Sequence, residues 1–87
     1  MKVWVATVNE VDSECYAEGP ALWMSVHASW TGALKALDEY IYSNVFYDED
    51  DEAAHAACED IVSNGWSQFE NGQFEYEARL TEVEVKE

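Results

Sequence analysis

Basic residues are scarce in this chain: four Lys and Arg stand against 19 Asp and Glu in 87 residues, a formal net charge of -15. That shortage makes bare nucleic acid and anionic membranes poor direct partners, because both attract Lys and Arg. Glycine is also sparse, with four residues, and Pro20 is the single proline. There is consequently no Gly-rich loop to cradle a phosphate and no Pro/Gly-rich linker to divide the chain. With only Cys15 and Cys58, the chain can form at most one disulfide, which stays open as an alternative to free thiols. Two cysteines and no apolar leader of signal-peptide length lead us to expect a cytoplasmic protein with free thiols. No stretch approaches the roughly 18 apolar residues of a membrane-spanning helix.

What is present is a large apolar fraction, 48% of residues, with 14% aromatic. Burial of that surface can offset the entropy of ordering, so the chain reads as a folded single domain over 1–87 rather than an acidic disordered tail. The charge is concentrated toward the C-terminus. Met1 to Tyr47 carries six acids and two bases, whereas Asp48 to Glu87 carries 13 acids and two bases. Self-repulsion at this charge opposes compaction, and a basic partner is its natural counterpart.

Along the chain, Lys2 to Val8 reads as a strand apolar on both faces, and Asn9 to Pro20 has loop composition. Ala21 to Ala28 reads as a second strand, paired with the first as a long-looped hairpin. Ser29 offers an N-cap, after which Trp30, Ala33, Leu34, Leu37, Ile41 and Val45 recur at helical spacing. Asp48 to Glu52 caps and charges a second helix whose narrow stripe is Ala54, Ala57, Cys58 and Ile61, and Asn64-Gly65 ends it. Asn71-Gly72 signals a hairpin between Trp66–Glu70 and a last strand from about Phe74 to Val85. Phe74, Tyr76, Ala78 and Leu80 share one parity and Val83 and Val85 the other. A bulge near Thr81-Glu82 is expected if both groups face the core. The expected fold is α+β: a small antiparallel sheet of three to four strands with two helices packed on one face, in the order β-β-α-α-β.

Catalytic chemistry finds no foothold. There is no nucleophile elbow, no metalloprotease helix and no paired short spacing for metal ligands. His55 and Cys58 lie three apart, and Cys15 and His27 complete a set of zinc-type donors, but they come from a loop, a strand and a helix. Cys58 reads better as a small core residue. Asp48 to Glu52 lacks the glycine and alternation of an EF-hand loop. The expectation is a non-enzyme without metal or cofactor.

The acids themselves are the leading candidates for a site: Asp48, Glu49, Asp50, Asp51, Glu52, Glu59 and Asp60, followed by Glu75 and Glu77. Alternate residues on a strand lie roughly 6.8 Å apart, close to the spacing of successive phosphates along a nucleic-acid strand. Rows of carboxylates can therefore occupy the phosphate positions on a basic protein. A plain solvated face and a halophilic surface remain alternative readings. Tyr40, Tyr42, Phe46 and Tyr47, at the end of the first helix, would set aromatic rings beside these carboxylates; Tyr42, Phe46 and Tyr47 are the candidate anchors.

Met1-Lys-Val-Trp-Val-Ala-Thr-Val, Ser25-Val-His-Ala-Ser running into Ala33-Leu-Lys-Ala-Leu-Asp-Glu-Tyr, and Glu82-Val-Glu-Val resemble small proteins of bacteriophages and plasmids. In size, acidity and lack of catalytic motif the chain also looks like phage anti-CRISPR and anti-restriction inhibitors. That resemblance implies an inhibitor that binds a basic nucleic-acid-handling complex of the host, without touching nucleic acid or membrane.

Overall fold

A computed structural model describes residues 1–12, 17–72 and 74–86. Its elements are β1 (Lys2–Asp12), β2 (Ala17–His27), α1 (Trp30–Tyr40), a π-helical turn (Ile41–Val45), α2 (Asp51–Asn64), β3 (Trp66–Asn71) and β4 (Phe74–Glu84). The four strands form one antiparallel sheet in the order β2-β1-β4-β3. The architecture is α+β, but the element order is β-β-α-α-β-β rather than the β-β-α-α-β expected. The difference is β3, a short edge strand whose hairpin with β4 makes it a full member of the sheet.

Local chemistry sets the helix ends. Ser29 is extended and its Oγ accepts the Gly32 N–H at 3.1 Å, capping α1. Asp50 caps α2, its Oδ1 accepting the Ala53 N–H at 3.0 Å, while Asp51 and Glu52 place negative charge in the first turn, where the macrodipole favours it. Gly65 ends α2 at φ 82°, a left-handed conformation that a side chain would disfavour, and its N–H reaches the Ile61 carbonyl at 2.8 Å.

Between the helices the chain widens into the π turn, where the Phe46 N–H donates to the Ile41 carbonyl at 3.1 Å. The extra residue re-phases the helix end, so that Ile41, Val45 and Phe46 are all buried. Tyr47 and Asp48 follow at φ 53° and 61°, two consecutive left-handed residues with side chains.

The strands are longer than expected. β1 continues to Asp12 and β2 begins at Ala17, replacing most of the expected Asn9–Pro20 loop; the residues at its middle, Cys15 among them, lie outside the described ones. β2 is a sheet edge, where proline is tolerated. The register shift between Val8 and Asn9 leaves Leu22 without a partner in the pairing, and a second shift lies between Asn9 and Val11. The bulge expected near Thr81-Glu82 is not there, since β1 and β4 pair without a break from Lys2↔Glu84 to Val11↔Glu75. Val83 instead takes its natural parity and points, exposed, away from the core. In the β3–β4 hairpin Asn71 pairs with Phe74, so the turn begins at Gly72 (φ 65°), one residue later than the Asn71-Gly72 signal implies.

Ala6 and Val8 of β1 and Ala78 and Leu80 of β4 alternate along their strands and share one sheet face. They join Ala33, Leu37 and Ile41 from the first helix and Ala54, Ala57 and Ile61 from α2 in a single cluster. Alanines let the elements approach closely but bury little area each, so the larger core side chains, Leu37, Ile41, Ile61 and Val8 among them, contribute more apiece. Ile61→Ala should cost about 2–5 kcal/mol, a large share of the stability of so small a domain. Asp50→Ala should cost about 1 kcal/mol through the lost cap, with Asp50→Asn near neutral. Urea unfolding of the variants checks both, with Met24→Ala, at an exposed position, as the silent control.

Candidate functional site

The acidic residues divide between two sides of the molecule. Asp48, Glu49 and Asp50 form the connection into α2, Asp51 and Glu52 its first turn, and all five are exposed. Further along α2, Glu59 meets His55 at 3.0 Å and Asp60 accepts the Ser67 hydroxyl at 3.2 Å, both remaining exposed. Asp38 and Glu39 of α1 join the run: with Tyr42, Asp51 and His55 they line a groove of about 350 Å³ between the two helices. Sequence reasoning misses those two acids, although Asp38 and Tyr42, four apart, fall on one helical face.

Tyr42 is tied into this acidic surface. Its hydroxyl reaches toward the Asp48 carbonyl at 3.5 Å, and the Ser43 hydroxyl donates to the Asp48 carboxylate at 3.2 Å. A hydrogen bond to Asp51 chiefly, with desolvation and the charges of Asp51 and Asp48, holds the phenol above its ordinary pKa. The Cys58 thiol is pushed up by burial first and then by Asp38 and Glu59, the direction of an inert thiol rather than an activated one.

Glu75 and Glu77 do not extend this surface. The β4 residues of their parity lie on the sheet face opposite the buried alanines. Glu77 is 6% exposed and is ion-paired with Arg79, whose guanidinium also lies 5.9 Å from the centre of the Trp66 ring. A carboxylate that is covered and neutralised presents no phosphate-like charge, so the expected acidic row along β4 is corrected at this residue. Phe46 is likewise corrected as an anchor. At 5% exposure it packs 5.8 Å from Phe69 inside the core, turned inward by the π turn. Tyr47, by contrast, is 65% exposed.

A cleft lies beside Tyr47. Its volume is about 560 Å³, and it is lined by Glu10, Leu22, Tyr40, Tyr47, Phe74 and Tyr76 together with Asn44, Val45, Asn71 and Gly72. Glu10 and Tyr76 are direct cross-strand partners, and Tyr76 faces Phe69 across the next strand pair. Tyr40 is braced by Trp23, stacked at 4.8 Å and 13°. The Asn71 amide donates to the Val45 carbonyl at 2.6 Å, fastening the β3–β4 hairpin to the π turn and holding the cleft's two sides together. The cleft's carboxylate and two of its four rings, Phe74 and Tyr76, come from strand positions whose alignment no local signal in the sequence conveys.

Among the described residues no three His, Cys, Asp or Glu side chains are gathered as a metal ion would require. His27 is engaged with the Ser25 hydroxyl at 2.5 Å, and no described helix is long and apolar enough to cross a membrane. Compared with known protein families, curated proteins and solved structures, the chain finds no match.

The raised Cys58 thiol has a direct readout in a Cys15→Ser background. Its alkylation by iodoacetamide should accelerate only above the pH range of an ordinary thiol, because the thiolate is the reacting form. Asp38→Asn, which removes a nearby negative charge, should move that profile to lower pH.

Proposed function

We propose that this protein is a binding inhibitor of phage or mobile-element origin, acting in the cytoplasm of a host cell. It covers a Lys/Arg-lined nucleic-acid surface of a host defence complex, in the manner of an anti-CRISPR or anti-restriction protein. Both helices pack on one face of the sheet in this reading, and the outer side of that layer is the DNA-like surface. No catalytic step is assigned to it.

The observation that carries the reading is the continuity of exposed carboxylates from Asp48 to Glu52 into the Asp38–Glu39 groove. Two of the four bases are engaged on the sheet, Lys2 with Glu82 at 3.0 Å and Arg79 with Glu77, and Lys35 is the one base on the two helices, against seven acids from Asp48 to Asp60. Such a surface steers association with a cationic channel and raises the on-rate steeply at low salt. Tyr42 and Tyr47, at the edges of the run, supply the aromatic contact that charge alone lacks.

The test is a pull-down from nuclease-treated host lysate onto the immobilised protein, eluted with excess duplex DNA and then with salt. A nucleic-acid-handling complex released by DNA is the expected result; recovery of nothing specific at low salt overturns the reading. Asp51→Lys with Glu52→Lys should slow association with that complex by about tenfold or more at low salt. The Asp50 cap is left in place so that the fold survives. An unchanged on-rate would remove this face from the interface.

A further inference from the structure

The aromatic cleft beside Tyr47 is lined by residues other than the carboxylates of the Asp48–Glu52 run. Tyr76 backs onto Phe69 at 5.9 Å, and Phe69 onto Phe46 at 5.8 Å, so its floor is continuous with the core. At its rim Tyr47 and Phe74 leave large ring surfaces in water, at 65% and 54% exposure. Tyr47 is held there in a left-handed conformation that residues with side chains rarely adopt.

The electrostatics have one sign. Glu10 is the charged residue of the described lining, with no base beside it. The Tyr76 phenol is held above its ordinary pKa, by burial first and then by Tyr47, Glu10 and Tyr40, as befits groups converging on an electron-rich space. Ring faces carry negative quadrupole potential, and several rings around one carboxylate make a receptor for an organic cation. The volume, about 560 Å³, is of the size that takes a side chain or small ligand.

We propose that this cleft seats an arginine side chain of a basic partner protein, its guanidinium lying against Tyr47 and Phe74 and paired with Glu10. The identity of the cation rests on the reading of the partner as basic. Arginine is favoured over lysine because its planar, weakly hydrated guanidinium stacks on rings and forks onto a carboxylate, whereas an ammonium keeps its water.

The experiment titrates the full chain with acetyl-Gly-Arg-Gly-amide, following aromatic ring signals by NMR. The same peptide with lysine, or with neutral citrulline of the same shape, serves as comparison. Saturable shifts centred on Tyr47, Phe74 and Tyr76 are expected, with citrulline weaker by about tenfold and lysine intermediate. Tyr47→Ala and Phe74→Ala, both at exposed positions, should each weaken the arginine peptide by about fivefold or more while the spectrum stays dispersed. Equal binding of arginine and citrulline, or arginine shifts confined to Asp48–Glu52, overturns the proposal. No host complex is needed, so an empty lysate pull-down sinks the inhibitor reading and the arginine's assignment to that partner, while the titration decides separately whether the cleft holds a guanidinium. A failed titration leaves the acidic surface standing.

Discussion

Fifteen uncompensated negative charges must be held around a core whose largest fully buried side chains are Leu37, Ile41, Ile61 and Val8. The opposition between that small apolar cluster and the self-repulsion of the surface governs the rest of the structure. It accounts for the placement of charge at the start of α2, where Asp50, Asp51 and Glu52 meet unpaired N–H groups and the macrodipole rather than one another alone. It is also consistent with the sheet's arrangement of its bases, since Lys2 and Arg79 each neutralise a carboxylate beside the strands.

The π turn couples this packing to the surface. By adding a residue at the end of the first helix it drives Phe46 inward onto Phe69, and the chain then leaves through Tyr47 and Asp48 in left-handed conformations. One local irregularity therefore decides that Phe46 is core, that Tyr47 is rim, and that the carboxylate run starts on the outside. The Asn71 bond to Val45 fastens the β3–β4 hairpin to the same point. Substitutions that re-phase the turn would disturb the core, the cleft and the acidic entry to α2 together.

Signals confined to a few neighbouring residues are legible in the amino-acid sequence alone. Ser29 as a cap, Gly65 as a stop, the helical spacing from Trp30 to Val45 and the hairpin glycine at Gly72 each act through local backbone chemistry. Features set by long-range register are not. The extension of β1 to Asp12 needs the pairing of Glu10 with Tyr76 and Val11 with Glu75, and nothing within Asn9–Asp12 announces it. Strand parity sets Glu75 and Glu77 on one side, but burial of Glu77 beside Arg79 is a matter of side-chain packing that parity does not reach. The cleft is harder still, because its walls come from β1, β2, α1, the Tyr47 turn and β4. Of its rings, helical spacing and proximity to the acids point only to Tyr40 and Tyr47, and Phe46, which the same signals group with them, belongs to the core.

The central physical claim is that this core holds the charge without help from salt, leaving the carboxylates free to meet a partner. Thermal melting followed by circular dichroism in about 10 mM buffer tests it most directly, since the screening length there is about 30 Å and repulsion acts at nearly full strength. The account predicts a folded baseline at room temperature and a cooperative transition that rises modestly with added potassium chloride. A chain that is largely unfolded in dilute buffer and folds only in concentrated salt would contradict it, and would mark the acidic surface as a halophilic one.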